Sequence, residues 1–417
     1  MNSAKTNVYF PGLNALRFFA AFAVIITHIE LMKKYLGFNN AWSDVWNPMD
    51  GTDSMPIISI LDGSFKWYHP MVAEAGPLGV VFFFVLSGFL ITFLLFVEKR
   101  ERKTIKVGAF YARRIFRIWP LYYLLFMLGF FILPQFEWFH AGVQQEALEE
   151  PFWTNFWCYL IILPNLALAI FGHTGNGAVP NIGQSWSIGV EEQFYLIWPW
   201  IIKKAKKPLK AILLFTVFLL ALKLTVLFAI QTDPKRGLTI LKNFLVMSKI
   251  ECMTIGGLGA YALYFKKEKV LNFIYQPWVQ ISALISIPVL LFCTHRLFQN
   301  GVHLIYAISF LIIILNVSCN KNGLLKLENG LLNFLGRISY GVYMYHILVI
   351  VFLLNVIKHF WPAKDTLDGW NNLIFYLVAT SITILISHLS FVYFESYFIR
   401  LKKKFTRVVS GEEAKEK

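Results

Sequence analysis

Cysteine is nearly absent and follows no ligand pattern. The four residues Cys158, Cys252, Cys293 and Cys319 all fall in apolar stretches, and no two of them have CxxC spacing. Neither a disulfide framework nor a zinc site is therefore expected. No small-residue cleavage site follows the first apolar run, so the first helix is expected to be retained rather than removed as a signal peptide. No low-complexity linker divides the chain, and no short internal period points to a solenoid. Acidic residues are few, 24 against 39 Lys and Arg, for a net charge of +15.

What is abundant is apolar surface. Hydrophobic residues make up 57% of the 417 positions, aromatics make up 17%, and the mean hydropathy is +0.56. A soluble domain averages about 45–50% apolar residues. The chain is expected to be an all-α polytopic membrane bundle. In such a protein an excess of Lys and Arg marks the cytoplasmic loops, so the net charge does not imply a nucleic-acid partner.

Apolar segments fall near 10–31, 76–97, 118–134, 153–171, 187–202, 211–230, 243–265, 273–294, 302–319, 331–357 and 371–398. The connection 98–117 holds eight Lys/Arg, and 203–210, 266–269 and 400–405 are also basic. These runs can share one side only if one of the early segments does not cross. The segment 153–171 contains Pro164-Asn165 and leads into a Gly/Asn-rich stretch, so we expect it to be re-entrant or irregular. About ten crossings remain, with both termini cytoplasmic and an inside-to-outside Lys/Arg ratio of about three to one. One membrane domain is expected over 1–400, followed by a basic then acidic tail over 401–417. The external loop 32–75, with Trp42, Trp46 and Trp67 among carboxylates, suits either sugar contact or an interfacial aromatic belt.

Charges inside the spans cost several kcal/mol and are functional candidates. Arg17 and His28 in the first span are eleven residues apart, about 20° past three full turns, so they share a face about 16 Å apart along the axis. The simpler alternative is a snorkelling arginine and a packing histidine. Ser87-Gly88 in the second span reads as a close helix contact. Arg113, Arg114 and Arg117 stack on one side of a helix whose first turn Pro120 would suit. They fit bidentate phosphate binding or plain positive-inside topology. In 184–200, Ser187 suits a helix cap with Glu191 a turn later, yet Glu191 and Glu192 with Trp186, Gln193 and Tyr195 exceed what a cap needs. Lys249 and Glu251 lie just inside another span, as a structural pair or a cavity lining. Tyr345 and His346 put a second histidine in the membrane, and His388 reads as packing.

Together these pieces resemble the membrane acyltransferase family 3, bacterial integral-membrane enzymes that acylate surface glycans. The matching motifs are Arg17-x10-His28, Phe84-x-x-Ser87-Gly88-Phe89 and Arg113-Arg114-x-x-Arg117-x-x-Pro120. Trp186-Ser187-Ile188-x-Val190-Glu191-Glu192-Gln193-Phe194-Tyr195, Ser339-Tyr340 with Tyr345-His346, and Glu395 follow in order. Lys249-x-Glu251 replaces an expected Arg-x-Asp and keeps its charges, and Ser396 stands where proline is common.

The resemblance implies a bacterial inner-membrane protein with no permanently bound cofactor. Acyl-CoA, usually acetyl-CoA, would be the co-substrate, and a carbohydrate or glycolipid the acceptor. It implies His28 and Glu191 as catalytic residues and Arg17, Arg113, Arg114 and Arg117 as donor-binding residues. Trp186, Ser187, Glu192, Gln193, Tyr195, Lys249, Glu251, Tyr345 and His346 are the candidates for the acceptor site or cavity lining. On composition alone, a transporter or flippase for a glycolipid or organic anion also fits intramembrane His, Arg and Glu. Matched inverted halves would favour that class, and none are seen.

Overall fold

The computed structural model describes residues 6–38, 69–142, 151–171, 179–233, 235–297, 301–362, 367, 369–406 and 408–410. The tryptophans of the external loop lie outside these residues. The long helices in chain order are α1 (Leu13–Tyr35), α2 (His69–Arg102) and α3 (Val107–Met127). Two short helices follow, α4 (Phe152–Leu160) and α5 (Pro164–Phe171), then α6 (Trp186–Lys204), α7 (Pro208–Thr232), α8 (Arg236–Ser248) and α9 (Ile250–Tyr264). The rest are α10 (Glu268–Ile274), α11 (Pro277–Leu297), α12 (Val302–Cys319), α13 (Gly330–Arg337), α14 (Ser339–Phe360), α15 (Gly369–Ser390) and α16 (Ser396–Lys402). The only strands among the described residues, β1 (Thr6–Val8) and β2 (Val408–Ser410), pair in parallel. They join the two ends of an otherwise helical bundle.

By length and composition, seven described helices can cross a membrane, or eight if α10 and the start of α11, bent by 60°, form one span. The expected count of about ten departs from this where polar groups enter. The span expected over 187–202 is α6, 19 residues carrying Glu191, Glu192, Lys203 and Lys204. The span expected over 243–265 is broken at Lys249, whose left-handed φ of 43° separates α8 from the 15-residue α9. The segment 153–171 is two helices of nine and eight residues, each too short to cross about 30 Å of hydrocarbon.

The first helix is fixed at both ends. At its start Glu328 accepts hydrogen bonds from the Gly12 amide, at 2.8 Å, and from the Tyr9 hydroxyl. This carboxylate serves the free N–H groups of the first turn. At its end Gly37, with φ of 69°, reverses the chain, while Phe38 N–H bonds Lys33 O and Gly37 N–H bonds Lys34 O, the two bonds of a Schellman closure. Along its length, buried Lys33 reaches Glu30 at 2.6 Å and Asn372 of α15 at 2.5 Å.

The second helix is the axis of the bundle. A Cβ on Gly79 would fall 2.5 Å from Ala20 O of α1, and one on Gly88 would fall 1.9 Å from Met253 O of α9. Gly256 of α9 faces Val85 O just as closely. Without a driving force for apolar burial in lipid, such backbone approach supplies the packing. One apolar core surrounds α2, and a second lies between α1, α14 and α15.

Because the atom opposite Gly88 is a backbone carbonyl, nothing there can rotate away. Gly88→Ala is expected to cost at least the 1–3 kcal/mol typical of an overpacked core, read as a lowered unfolding temperature in detergent. Gly108→Ala has no atom within 4 Å of the new Cβ and should leave that temperature unchanged or raise it. Equal behaviour of the two variants would contradict the close α2–α9 contact.

Candidate active site

A cavity of about 190 Å³ lies at the end of the bundle that carries β1. It is lined by Asn14 and Arg17 of α1, Phe83 and Ser87 of α2, Arg114 and Arg117 of α3, Ser187, Glu191 and Tyr195 of α6, and Tyr340 and Tyr343 of α14. The third helix begins at Val107, well before the apolar run at 118, so Pro120 sits inside it rather than in its first turn. The earlier start puts the arginines on formed helix, and the three-residue spacing turns Arg114 and Arg117 to one side. Arg114 is seated over the rings of Phe110 and Tyr195, each 5.7 Å from its guanidinium carbon.

Three guanidinium groups meet one carboxylate here. Arg17 donates to Asn14 Oδ1 at 2.8 Å. Glu191 accepts from Ser87 Oγ at 2.8 Å and from the Tyr195 hydroxyl at 2.7 Å. Among the described residues, no carboxylate forms an ion pair with Arg17, Arg114 or Arg117, and the Arg114 Nε is buried without a partner. A buried guanidinium without an ion-pair partner is costly unless something anionic meets it.

Arg113 stands apart from this group. It pairs with Glu98 at 2.8 Å and donates to Phe405 O at 3.1 Å. It lines a smaller adjoining space of about 50 Å³ with Lys402 and Thr406, a space that shares Arg114 and Arg117 with the main cavity.

His28 does not line the cavity. A row of rings connects the two. Phe83 and Tyr343, both in the cavity wall, meet edge to face at 5.9 Å. Tyr343 lies 5.8 Å from His346, and His346 lies 4.9 Å from His28. The two histidines touch, with His346 Nε2 3.0 Å from His28 Nδ1. His346 is fully buried, and Tyr343 shares its hydroxyl with Ser187 Oγ at 2.7 Å and Gln184 O at 2.8 Å.

The other candidates are dispersed. Glu192 accepts from Trp119 Nε1 at 3.2 Å. Gln193 exchanges hydrogen bonds with Asn165, which ties α5 to α6. Trp186 packs edge-on to Phe84. Glu251 holds Lys223 at 2.5 Å and His303 at 2.7 Å, joining α9 to α7 and α12, and Lys249 forms the break before α9. Tyr345 donates to Ser390, which donates to Glu395. His388 lies against Phe334. None of these candidates is in the described lining of the main cavity, although Phe84, against which Trp186 packs, is.

Sequence reasoning gave Ser87-Gly88 a packing role. Gly88 carries the packing, whereas Ser87 turns to Glu191. Asn14 and Tyr343 were not singled out, although each is three residues before a residue that was, Arg17 and His346. That spacing was the available signal.

Known proteins bear on what such a site does. The family described as "Acyltransferase domain" matches residues 10–392. The peptidoglycan O-acetyltransferase OatA of Listeria monocytogenes is 26% identical over 374 residues, 84% of this chain and 55% of that protein. A putative O-acetyltransferase of Staphylococcus aureus strain COL is 25% identical over 408 residues, 94% of this chain and 57% of that protein. The putative peptidoglycan O-acetyltransferase YrhL of Bacillus subtilis is 28% identical over 236 residues, 55% of this chain and 30% of that protein. The chain spans about half the length of OatA and of the staphylococcal relative. No solved structure matches it. The family match takes in the arginine–histidine helix, the arginine-lined cavity and the histidine pair together, and the chain belongs to this family of membrane acyltransferases.

Proposed function

We propose that the chain moves an acyl group, most simply acetyl, from cytoplasmic acyl-CoA to a hydroxyl of a cell-surface or lipid-linked carbohydrate. The observation that carries this reading is a membrane-embedded cavity whose three arginines form no ion pair among the described residues, joined by a row of rings to a pair of histidines. Acyl-CoA has phosphates at one end and a thioester at the other, joined by a narrow arm. Arg17, Arg114 and Arg117 would meet the phosphates, with Arg113 at the adjoining space. The axial rise of about 16 Å from Arg17 to His28 suits the arm. The relatives' names support a peptidoglycan-type glycan as one acceptor.

His28 is the proposed catalytic residue. As a base, it takes the proton of the acceptor hydroxyl while the oxygen attacks the thioester carbon. The C–S bond then breaks, and the proton passes to the leaving CoA sulfur. As a nucleophile, it would instead carry the acyl group on its ring before the hydroxyl attacks. Glu191, held by Ser87 and Tyr195, faces the donor cavity and would orient a ligand group there. Acyl-CoA would be a co-substrate rather than a resident cofactor.

We further infer that both termini are cytoplasmic, in a bacterial inner membrane. The β1–β2 pairing supports a common side for the two ends, and the basic connections support the cytoplasm as that side. On this reading residues 1–400 form the catalytic membrane domain and 401–417 its tail.

Arg117→Ala is expected to weaken acyl-CoA affinity by the 1.5–3 kcal/mol typical of a hydrogen bond to a charged group, as measured by calorimetry on the purified protein. Lysine at 117 should restore only part of it, lacking the bidentate fork. Unchanged donor affinity would leave the arginines as topological markers. His28→Ala should abolish thioester cleavage and transfer while CoA binding persists. With acyl-CoA and no acceptor, a mass increment on the His28 peptide would identify the nucleophilic route, and its absence the direct one. Full activity in His28→Ala would remove the catalytic assignment.

A further inference from the structure

The histidine pair is more specific than two rings in contact, because its hydrogen bonds admit one assignment of protons. His28 Nδ1 lies 3.0 Å from Val24 O, and His346 Nδ1 lies 2.7 Å from Tyr343 O. A carbonyl oxygen only accepts, so each Nδ1 must carry hydrogen. A neutral His346 then has a bare lone pair on Nε2, and that atom is the one 3.0 Å from His28 Nδ1. The Nδ1–H of His28 is thus shared between Val24 O and His346 Nε2. The opposite arrangement, with His346 Nε2 donating to His28 Nδ1, sets two lone pairs against two carbonyl oxygens. Among the described residues, nothing hydrogen-bonds His28 Nε2.

We propose that His346 is the positioning residue for His28. It holds the neutral imidazole in the Nδ1–H form, so that the unprotonated Nε2 is the reacting atom. This rests on the acyl-transfer reading. When Nε2 takes the hydroxyl proton, the ring becomes an imidazolium, and its Nδ1–H donates more strongly to the same two acceptors. In hydrolytic triads a carboxylate does this work. Here the orienting group is uncharged. It stabilises the cation less, but it avoids burying a second ion where desolvation costs several kcal/mol. Tyr343 links this arrangement to the cavity. Tyr343 lines the cavity, while its backbone oxygen fixes His346 one turn away.

Two measurements test the assignment. The first is the 15N spectrum of histidine-labelled protein, with His28 identified by the signal lost in His28→Gln. The expected pattern is protonated Nδ1 and unprotonated Nε2 at His28, with a smaller share of that tautomer in His346→Leu, where Val24 O is the one remaining acceptor. A wild-type His28 protonated on Nε2 overturns the proposal. The second is steady-state acetyl-CoA cleavage. His346→Leu should lower kcat by about 100-fold or more, the scale of a lost acid–base contribution, with little change in donor KM. His346→Gln, whose amide oxygen can accept from Nδ1–H, should recover a large part of that loss. Equal loss in both variants, or kcat retained in His346→Leu, overturns positioning by His346. If wild-type protein cleaves no acetyl-CoA with a carbohydrate acceptor supplied, the acyl-transfer reading fails, and the spectrum still decides the tautomer separately.

Discussion

The bundle depends on backbone meeting backbone along α2. In lipid, apolar side chains gain little by leaving other apolar groups, so helices associate through close contact and hydrogen bonds. Glycines at 79, 88 and 256 remove the Cβ atoms that would hold α2 away from α1 and α9. One result is that α1 lies flush against α2, clamped by Glu328 at one end and the Gly37 closure at the other. A helix held so firmly can present Arg17 and His28 at a set separation. Another is that Ser87, beside the glycine that packs, is turned about 100° from it around α2 and reaches Glu191.

The polar groups that survive in this apolar interior sort into three kinds. Glu251 with Lys223 and His303, and Lys33 with Glu30 and Asn372, are ion-paired or hydrogen-bonded within the protein and join helices. In the lining of the cavity three guanidinium groups stand with one carboxylate, Glu191, whose oxygens are already hydrogen-bonded. The histidine pair is the third kind, neutral and complete except for one nitrogen. On the proposed function, anion binding and proton transfer are thereby kept apart in space, as a long ligand with charge at one end and a reactive bond at the other requires.

The spacing of Arg17 and His28 was legible because a helix of known pitch converts eleven residues into a common face and a distance. The irregular segment 153–171 was legible from Pro164-Asn165 and from the bookkeeping of basic loops. The break at Lys249 was not, since a left-handed lysine between two apolar helices carries no mark in composition. The division among the three arginines was equally hidden, because Arg113 is turned away by Glu98 and the Phe405 carbonyl, the latter far along the chain.

Composition and periodicity by themselves determined that this is a helical membrane protein with a cation and an imidazole on one helix face. Local sequence carries that information because helix pitch and hydrocarbon thickness are universal. Only the tertiary structure decided which groups meet. Glu191 was the catalytic candidate named beside His28, but both its oxygens are taken by Ser87 and Tyr195, and the partner of His28 is His346, 318 positions away. A hydrogen bond between such distant residues depends on how α1 and α14 are brought together by the rest of the bundle, and no spacing within either segment records it.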